Sequence, residues 1–158
     1  MRPRLTHLDR RGLPTMVDVS DKPETVRTAV AEARIRLTPR VVRALRRPGR
    51  SGKGDPLAVS IVAGIQAAKK THDLIPLCHP IRIESIHIDP VRSGRTLSFR
   101  VTCRTRDRTG IEMEALTGAA LAALAFYDMV KSVDRGLVID RIRLLRKSGG
   151  KSGPFAAK

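Results

Sequence analysis

Between residues 97 and 104 apolar and polar side chains alternate without a break. Leu97, Phe99, Val101 and Cys103 fall on one side, Ser98, Arg100, Thr102 and Arg104 on the other. A period of two puts successive side chains on opposite faces of an extended chain, so this stretch is a strand with one buried face. A half-buried strand needs a covering layer, and two helical stretches can supply it. In the first, Asp55 suits an N-cap and Pro56 the first helical position, where a missing N–H has no intrahelical partner to lose. Leu57, Ile61 and Ile65 then recur at i, i+4 and i+8, with Ala58 and Val62 beside them, giving one broad apolar face. Lys69 and Lys70 close it with charges that suit a C-terminal dipole. The second follows the segment 111–116 and runs to about Val133. It is rich in alanine and apolar nearly all round, which predicts burial on more than one side, against another subunit for instance.

Residues 24–37 carry two signals. Alanine favours helix, but Ala29, Ala31, Ala33, Ile35 and Leu37 alternate with Thr28, Val30, Glu32, Arg34 and Arg36, and that period of two decides for a strand. Thr38 and Pro39 start a short helix with Val41, Val42 and Leu45 on one side. Residues 81–89 read as a strand whose alternation is broken: Ile81 and Ile83 share one face, Ile86 and Ile88 the other. A bulge, or burial on both faces, accounts for that. Ser93-Gly94 turns this strand into the one at Leu97. Gly136 precedes a last strand, 137–145. The order is strand, helices, strand, strand, helix, strand. That is an α+β, ferredoxin-like βαββαβ sandwich, an antiparallel sheet with helices packed on one face. Residues 1–23 form an N-terminal arm, 24–146 the ferredoxin-like domain, and 147–158 a Gly/Ser/Lys-rich tail. Within the arm, residues 15–20 predict a short strand or ordered turn around Asp18.

Aromatic residues make up 3% of the 158, so the core must be built from Leu, Ile, Val and Ala. The formal net charge of +16 fits a nucleic-acid partner or a polyanionic small molecule. A solvated arginine-rich surface explains much of it without any partner. A ferredoxin-like nucleic-acid module usually stacks bases on strand aromatics, and here Phe99 alone is offered, on the apolar face. Cys78 and Cys103 lack CxxC spacing, and no signal-like or 20-residue apolar run is evident. The expected setting is a reducing, cytoplasmic compartment, with no membrane and no nucleic acid.

Five groups carry possible chemistry. Pro76 and Pro80 stiffen a turn that presents Cys78 and His79, either as a pocket wall or as a plain helix-to-strand connection. Asp128 and Lys131 share a helix face. They are a surface ion pair or, on so apolar a helix, a pair facing a cleft. Lys53 sits between Gly52 and Gly54, which allow close approach. Glu112 and Glu114, if extended, point to one side and suit the donor edge of a guanine-like ring, or hold lysines, or counter a helix dipole. The tail KSGGKSG has the composition of a phosphate loop but not the Walker spacing.

Taken together, LTHLD, MVDVS, KPETVR, KGD, AGIQAAKKTHDLIPLCHP, GIEMEALTGAALAALAFYDMVK and RLLRKSGGKSG closely resemble the bacterial cyclic pyranopterin monophosphate synthase family (molybdenum cofactor biosynthesis protein C). The likeness spans nearly the whole chain, with local departures at the arginine-rich loop 46–50 and at Pro56. The resemblance implies a lyase. Its substrate is (8S)-3',8-cyclo-7,8-dihydroguanosine 5'-triphosphate, made by a radical SAM GTP cyclase. Its products are cyclic pyranopterin monophosphate and diphosphate. It implies Asp128 as catalytic acid/base and Lys131 and Lys53 as catalytic lysines. Leu77, Cys78, His79, Met113 and Glu114 are implied to bind substrate, with Glu112, Asp18, Arg27, Lys147 and Lys151 lining or flanking the pocket. It also implies a homohexamer, a trimer of dimers, with the pocket between subunits. No redox step is involved, and no metal-ligand cluster stands out, so no metal or other cofactor is expected; a need for Mg2+ is left open. A lysine with an ordinary pKa of about 10.4 is a poor base at neutrality, and a neighbouring cation is one way to improve it. A regulatory domain that binds nucleotide without chemistry is a third reading.

Overall fold

The computed structural model describes residues 7–46, 54–151 and 153–157. They form β1 (Thr25–Arg36), α1 (Pro39–Leu45), α2 (Pro56–Lys69), α3 (Thr71–Leu74), β2 (Ile83–Ser93), β3 (Thr96–Asp107), α4 (Glu112–Val130), β4 (Val138–Ser148) and β5 (Phe155–Ala156). The sheet order is β2-β3-β1-β4-β5, every pair antiparallel. The first four strands are the ferredoxin-like arrangement, with α2 and α4 on one face.

Alternation in β1 and β3 builds the core. Ala29, Ala31, Ala33 and Ile35 are fully buried, and each lies opposite a larger or equal partner: Cys103, Val101, Phe99 and Leu97. Small residues on β1 leave room for α4 to settle close to the sheet. Phe126 of α4 meets Phe99 with ring centroids 5.9 Å apart and planes tilted by 55°, a favourable arrangement for two aromatic quadrupoles. The face of the sheet turned away from the helices carries Arg34, Arg100 and Arg104, and Glu32 there accepts from Arg143 Nε at 2.8 Å. Part of the positive charge is this arginine-rich surface.

The start of α2 follows its sequence. Asp55 Oδ1 accepts the Leu57 amide at 2.9 Å, with Pro56 in the first turn. Its deepest residues, however, are Ser60, Gly64, Ala67 and Ala68, while Leu57, Ile61 and Ile65 are half-buried against the core. The small residues let α2 lie directly on α4. A Cβ on Gly64 would fall 2.8 Å from the Gly118 carbonyl, and one on Gly118 would fall 3.1 Å from the Gly64 carbonyl. Ala68 lies beside Gly118 and Ala122 beside Gly64, so the two helices run antiparallel. Carried to the ends, that register sets Pro56 level with Val130.

Most of the apolar surface of α4 is therefore spent within the chain, between the sheet and α2. Met113 and Leu124 remain its exposed large apolar residues. By length and composition α4 could cross a membrane (mean hydropathy 1.3), but 56% of that window is buried inside the fold.

The broken alternation in β2 takes one of its two expected forms, a bulge between Ile83 and Ser85. Two expectations change in detail. Helix α4 starts at Glu112, so Glu112 and Glu114 are not extended and do not share a side by alternation. β4 runs on to Ser148, and the tail doubles back so that Ala156 and Phe155 pair with Arg146 and Lys147.

Candidate active site

Three segments meet at one end of the sandwich and enclose a cleft of about 330 Å³. The first is the proline-bracketed turn. The Cys78 amide donates to the Ile75 carbonyl at 3.0 Å, a β-turn with Pro76 in the position that a fixed φ favours. It presents Leu77, Cys78 and His79 to the cleft. The second is the turn from β3 into α4. Asp107 Oδ1 accepts the Arg108 amide at 2.6 Å, and Met113 and Glu114 follow as lining residues. The third is the N-terminal arm, through Val17 and Val19. The arm is fastened by its backbone. His79 Nε2 donates to the Val17 carbonyl at 2.8 Å and Arg108 Nη1 to the Ser20 carbonyl at 3.0 Å. A carbonyl can only accept, so Nε2 carries a hydrogen and, in the neutral ring, Nδ1 is the acceptor.

Glu114 is the electrostatic centre. It is 4% exposed, and burial pushes its carboxyl up to about 7, with Glu112 and Asp107 adding repulsion and its own backbone amide opposing them. A carboxyl that titrates near neutrality can give or take a proton. Burial and then the charge of Glu114 raise the Cys78 thiol, so Cys78 is a neutral wall rather than a thiolate nucleophile. Cys103, buried in the core, is pushed up to about 12 by burial first. The Ser20 hydroxyl and amide hold the Asp18 carboxyl below its usual range. Asp18 itself lies between two lining residues, Val17 and Val19.

A smaller cleft adjoins, sharing Gly110 and Glu112, and holds Arg27 and Lys147. Lys147 Nζ donates to Glu112 Oε1 at 2.8 Å. Arg27 spans the β3–α4 turn, its Nε bonding the Asp107 carbonyl at 3.0 Å and its Nη2 the Arg108 carbonyl at 2.9 Å. The tail closes over Arg27 because Gly149 and Gly150 take φ of 88° and 75°. A Cβ on either would come within 2.2 Å of the Val26 carbonyl oxygen or 2.3 Å of Arg27 Nη1. The glycines of KSGGKSG thus serve a reversal of the chain. Lys151 follows that reversal and is exposed.

The remaining expected residues lie elsewhere in the chain. Asp128 accepts from Lys131 Nζ, and both side chains are about half exposed. The pair lies at the C-terminal end of α4, open to solvent. Fourteen residues separate Glu114 from Asp128 along one straight helix, about 21 Å at 1.5 Å per residue. One copy of the chain does not bring this pair to the cleft. Lys53 lies outside the described residues. Residue patterns alone missed His7, Lys22 and Thr109, which also line the cleft. His7 and Lys22 sit in the polar arm, where no periodicity marks a side chain, and the signal available was the short motifs LTHLD and KPETVR that contain them.

The MoaC family model matches residues 16–150, nearly all of the described domain and every one of these walls except His7. The chain belongs to the MoaC family. Among curated relatives, the cyclic pyranopterin monophosphate synthase of Thermomicrobium roseum is 53% identical over 153 residues, covering 96% of this chain and 92% of the relative.

Proposed function

We infer that the cleft between the arm, the 77–79 turn and the start of α4 is where this chain performs its family's reaction. The chain is a lyase of molybdenum cofactor biosynthesis. It converts (8S)-3',8-cyclo-7,8-dihydroguanosine 5'-triphosphate to cyclic pyranopterin monophosphate and diphosphate. The observation that carries the siting is the meeting of Cys78, His79, Met113 and Glu114 in one cleft, although 34 residues and two strands separate the two motifs.

Glu114 faces the ring. Near neutrality its carboxyl accepts from a guanine-derived donor edge when ionised and supplies a proton when not. Arg27 and Lys147, in the adjoining cleft, sit on the phosphate side with Lys151 nearby in the tail. Forming a cyclic monophosphate requires an oxygen of the sugar to attack the α-phosphorus while the bond to the β-phosphate oxygen breaks. Diphosphate leaves with that electron pair, and cations stabilise the charge as it develops. Asp128, Lys131 and Lys53 serve the proton transfers that open the purine-derived ring and reclose it as a pterin. Asp128 and Lys131 reach the cleft from a second copy, because about 21 Å of helix separates Asp128 from Glu114 within one copy. A homohexamer built as a trimer of dimers meets this need. The reaction needs no resident cofactor. A radical SAM cyclase supplies the substrate, and the reducing cytoplasm is the compartment.

Nothing favours a nucleic-acid module, since Phe99 is fully buried and has no face for a base. The test is incubation of purified protein with the cyclised GTP derivative. Pterin and diphosphate are expected in equal amounts, and a folded Lys131→Ala variant should produce neither at an appreciable rate. Unchanged substrate with the wild type would overturn the reading in favour of a binding-only domain, and near-wild-type turnover by Lys131→Ala would remove the role of Lys131.

A further inference from the structure

The arm is more heavily tied down than a leader to a domain needs to be. Its first turn is closed by Asp9, whose Oδ1 accepts the amides of Arg11 and Leu13 at 2.8 Å each, and by the Thr15 amide, which donates to the His7 carbonyl at 3.0 Å. Its second is closed by Asp18, whose Oδ1 accepts the Ser20 amide at 2.9 Å and hydroxyl at 2.6 Å, and by the Lys22 amide returning to the Val19 carbonyl at 3.1 Å. Short aspartate-closed turns of this kind fix backbone without helix or ladder. Each ends at a residue that lines the large cleft, His7 in one case and Lys22 in the other. Among the described residues no hydrogen bond or ion pair engages either side chain within this fold.

The two sides of the cleft differ in kind. The wall from α4 offers carboxyls, Glu112 and Glu114; the wall from the arm offers an imidazole and an ammonium. The other nearby cations are partly committed. Lys147 is held by Glu112, and two donor positions of Arg27 are used on backbone carbonyls.

We propose that His7 and Lys22 form a second anion-binding wall that grips a phosphate group of the substrate while the ring lies against the Glu114 wall. This rests on the cleft being the site of the cyclised GTP derivative. It adds two substrate-binding residues on a part of the chain that is otherwise a connecting arm.

The test has two arms, so that a failure of the proposal and a failure of the activity are told apart. In the first, inorganic tripolyphosphate is titrated calorimetrically, at about 0.15 M salt to screen the diffuse positive surface, into wild type, His7→Ala, Lys22→Ala and Arg92→Ala. Arg92 is exposed near the far tip of the β2–β3 hairpin and controls for non-specific charge. Losing one charge-assisted contact should weaken binding about 10-fold or more in His7→Ala and Lys22→Ala, with Arg92→Ala unchanged. In the second, steady-state turnover should show KM raised by a similar factor and kcat within about threefold. His7→Gln, which keeps an N–H donor, should recover most of the loss. Both side chains are exposed, so melting temperatures should not move. Equal tripolyphosphate affinity in wild type and both arm variants overturns the proposal, as does equal weakening in Arg92→Ala. An inactive wild type that still loses tripolyphosphate affinity through His7 and Lys22 sustains the anion site and points to another phosphate ester as its ligand.

Discussion

Glu114 shows how one side chain can trade stability for reactivity. In the unfolded chain its carboxyl ionises near 4.5; in the fold burial moves that to about 7. Its folded pKa is raised, so between those two pH values the unfolded chain gives up a proton that the folded chain keeps. Stability contributed by the group is therefore intact below 4.5, falls through that window and is level above it. A shift of this size corresponds to about 3 kcal/mol. Glu114→Gln cannot ionise. It should gain on the wild type by up to about 3 kcal/mol more at pH 8 than at pH 4.5, measured by urea unfolding at both pH values, while losing turnover. An identical stability difference at the two pH values would contradict the assignment. The importance of this residue was legible from motif resemblance, but its environment was not. Read as extended, Glu112 and Glu114 look equivalent. On a helix, successive residues turn by about 100°, and one carboxyl meets Lys147 while the other is buried.

At the scale of elements, the strands of the hairpin and the sheet centre were legible because period two is a direct imprint of a sheet with helices on one face only, although at its centre Val30 and Glu32 on the other face are buried as well. The interface between α2 and α4 was not. Hydrophobic periodicity weighs large side chains, so Leu57, Ile61 and Ile65 stood out. The contact that sets the spacing uses Gly64, Ala68, Gly118 and Ala122, whose merit is the absence of bulk. Gly64→Ala gains about 1 kcal/mol of intrinsic helix preference. Its new methyl would nonetheless sit 2.8 Å from the Gly118 carbonyl and 2.6 Å from the Ile88 side chain. Overpacking should prevail, giving a net loss of about 1–3 kcal/mol and a lower urea midpoint with an unchanged m-value. A midpoint that rises instead would show that the helices can part without loss. The all-round apolar character of α4, which suggested a subunit contact, is met largely inside one chain by the sheet and α2.

At the scale of the molecule, the strand and helix order and the one-sided helical layer could be read from the chain, because each element's period agreed with its neighbours. The division of the expected chemistry could not. The sequence lists Cys78, His79, Glu114, Asp128 and Lys131 as one set, and the fold separates them into two groups at opposite ends of α4. The proposal of a site shared between copies rests on the length of that helix, about 21 Å between Glu114 and Asp128. Such a site should obey the rules of subunit complementation. Asp128→Asn and Glu114→Gln, each inactive alone, would be co-expressed and the mixed assemblies assayed with the cyclised GTP derivative. A site shared across a two-fold interface predicts recovery of about a quarter of wild-type turnover, since half of randomly assorted pairs carry one intact site in two. Mixed assemblies as inactive as either variant alone would contradict the shared site.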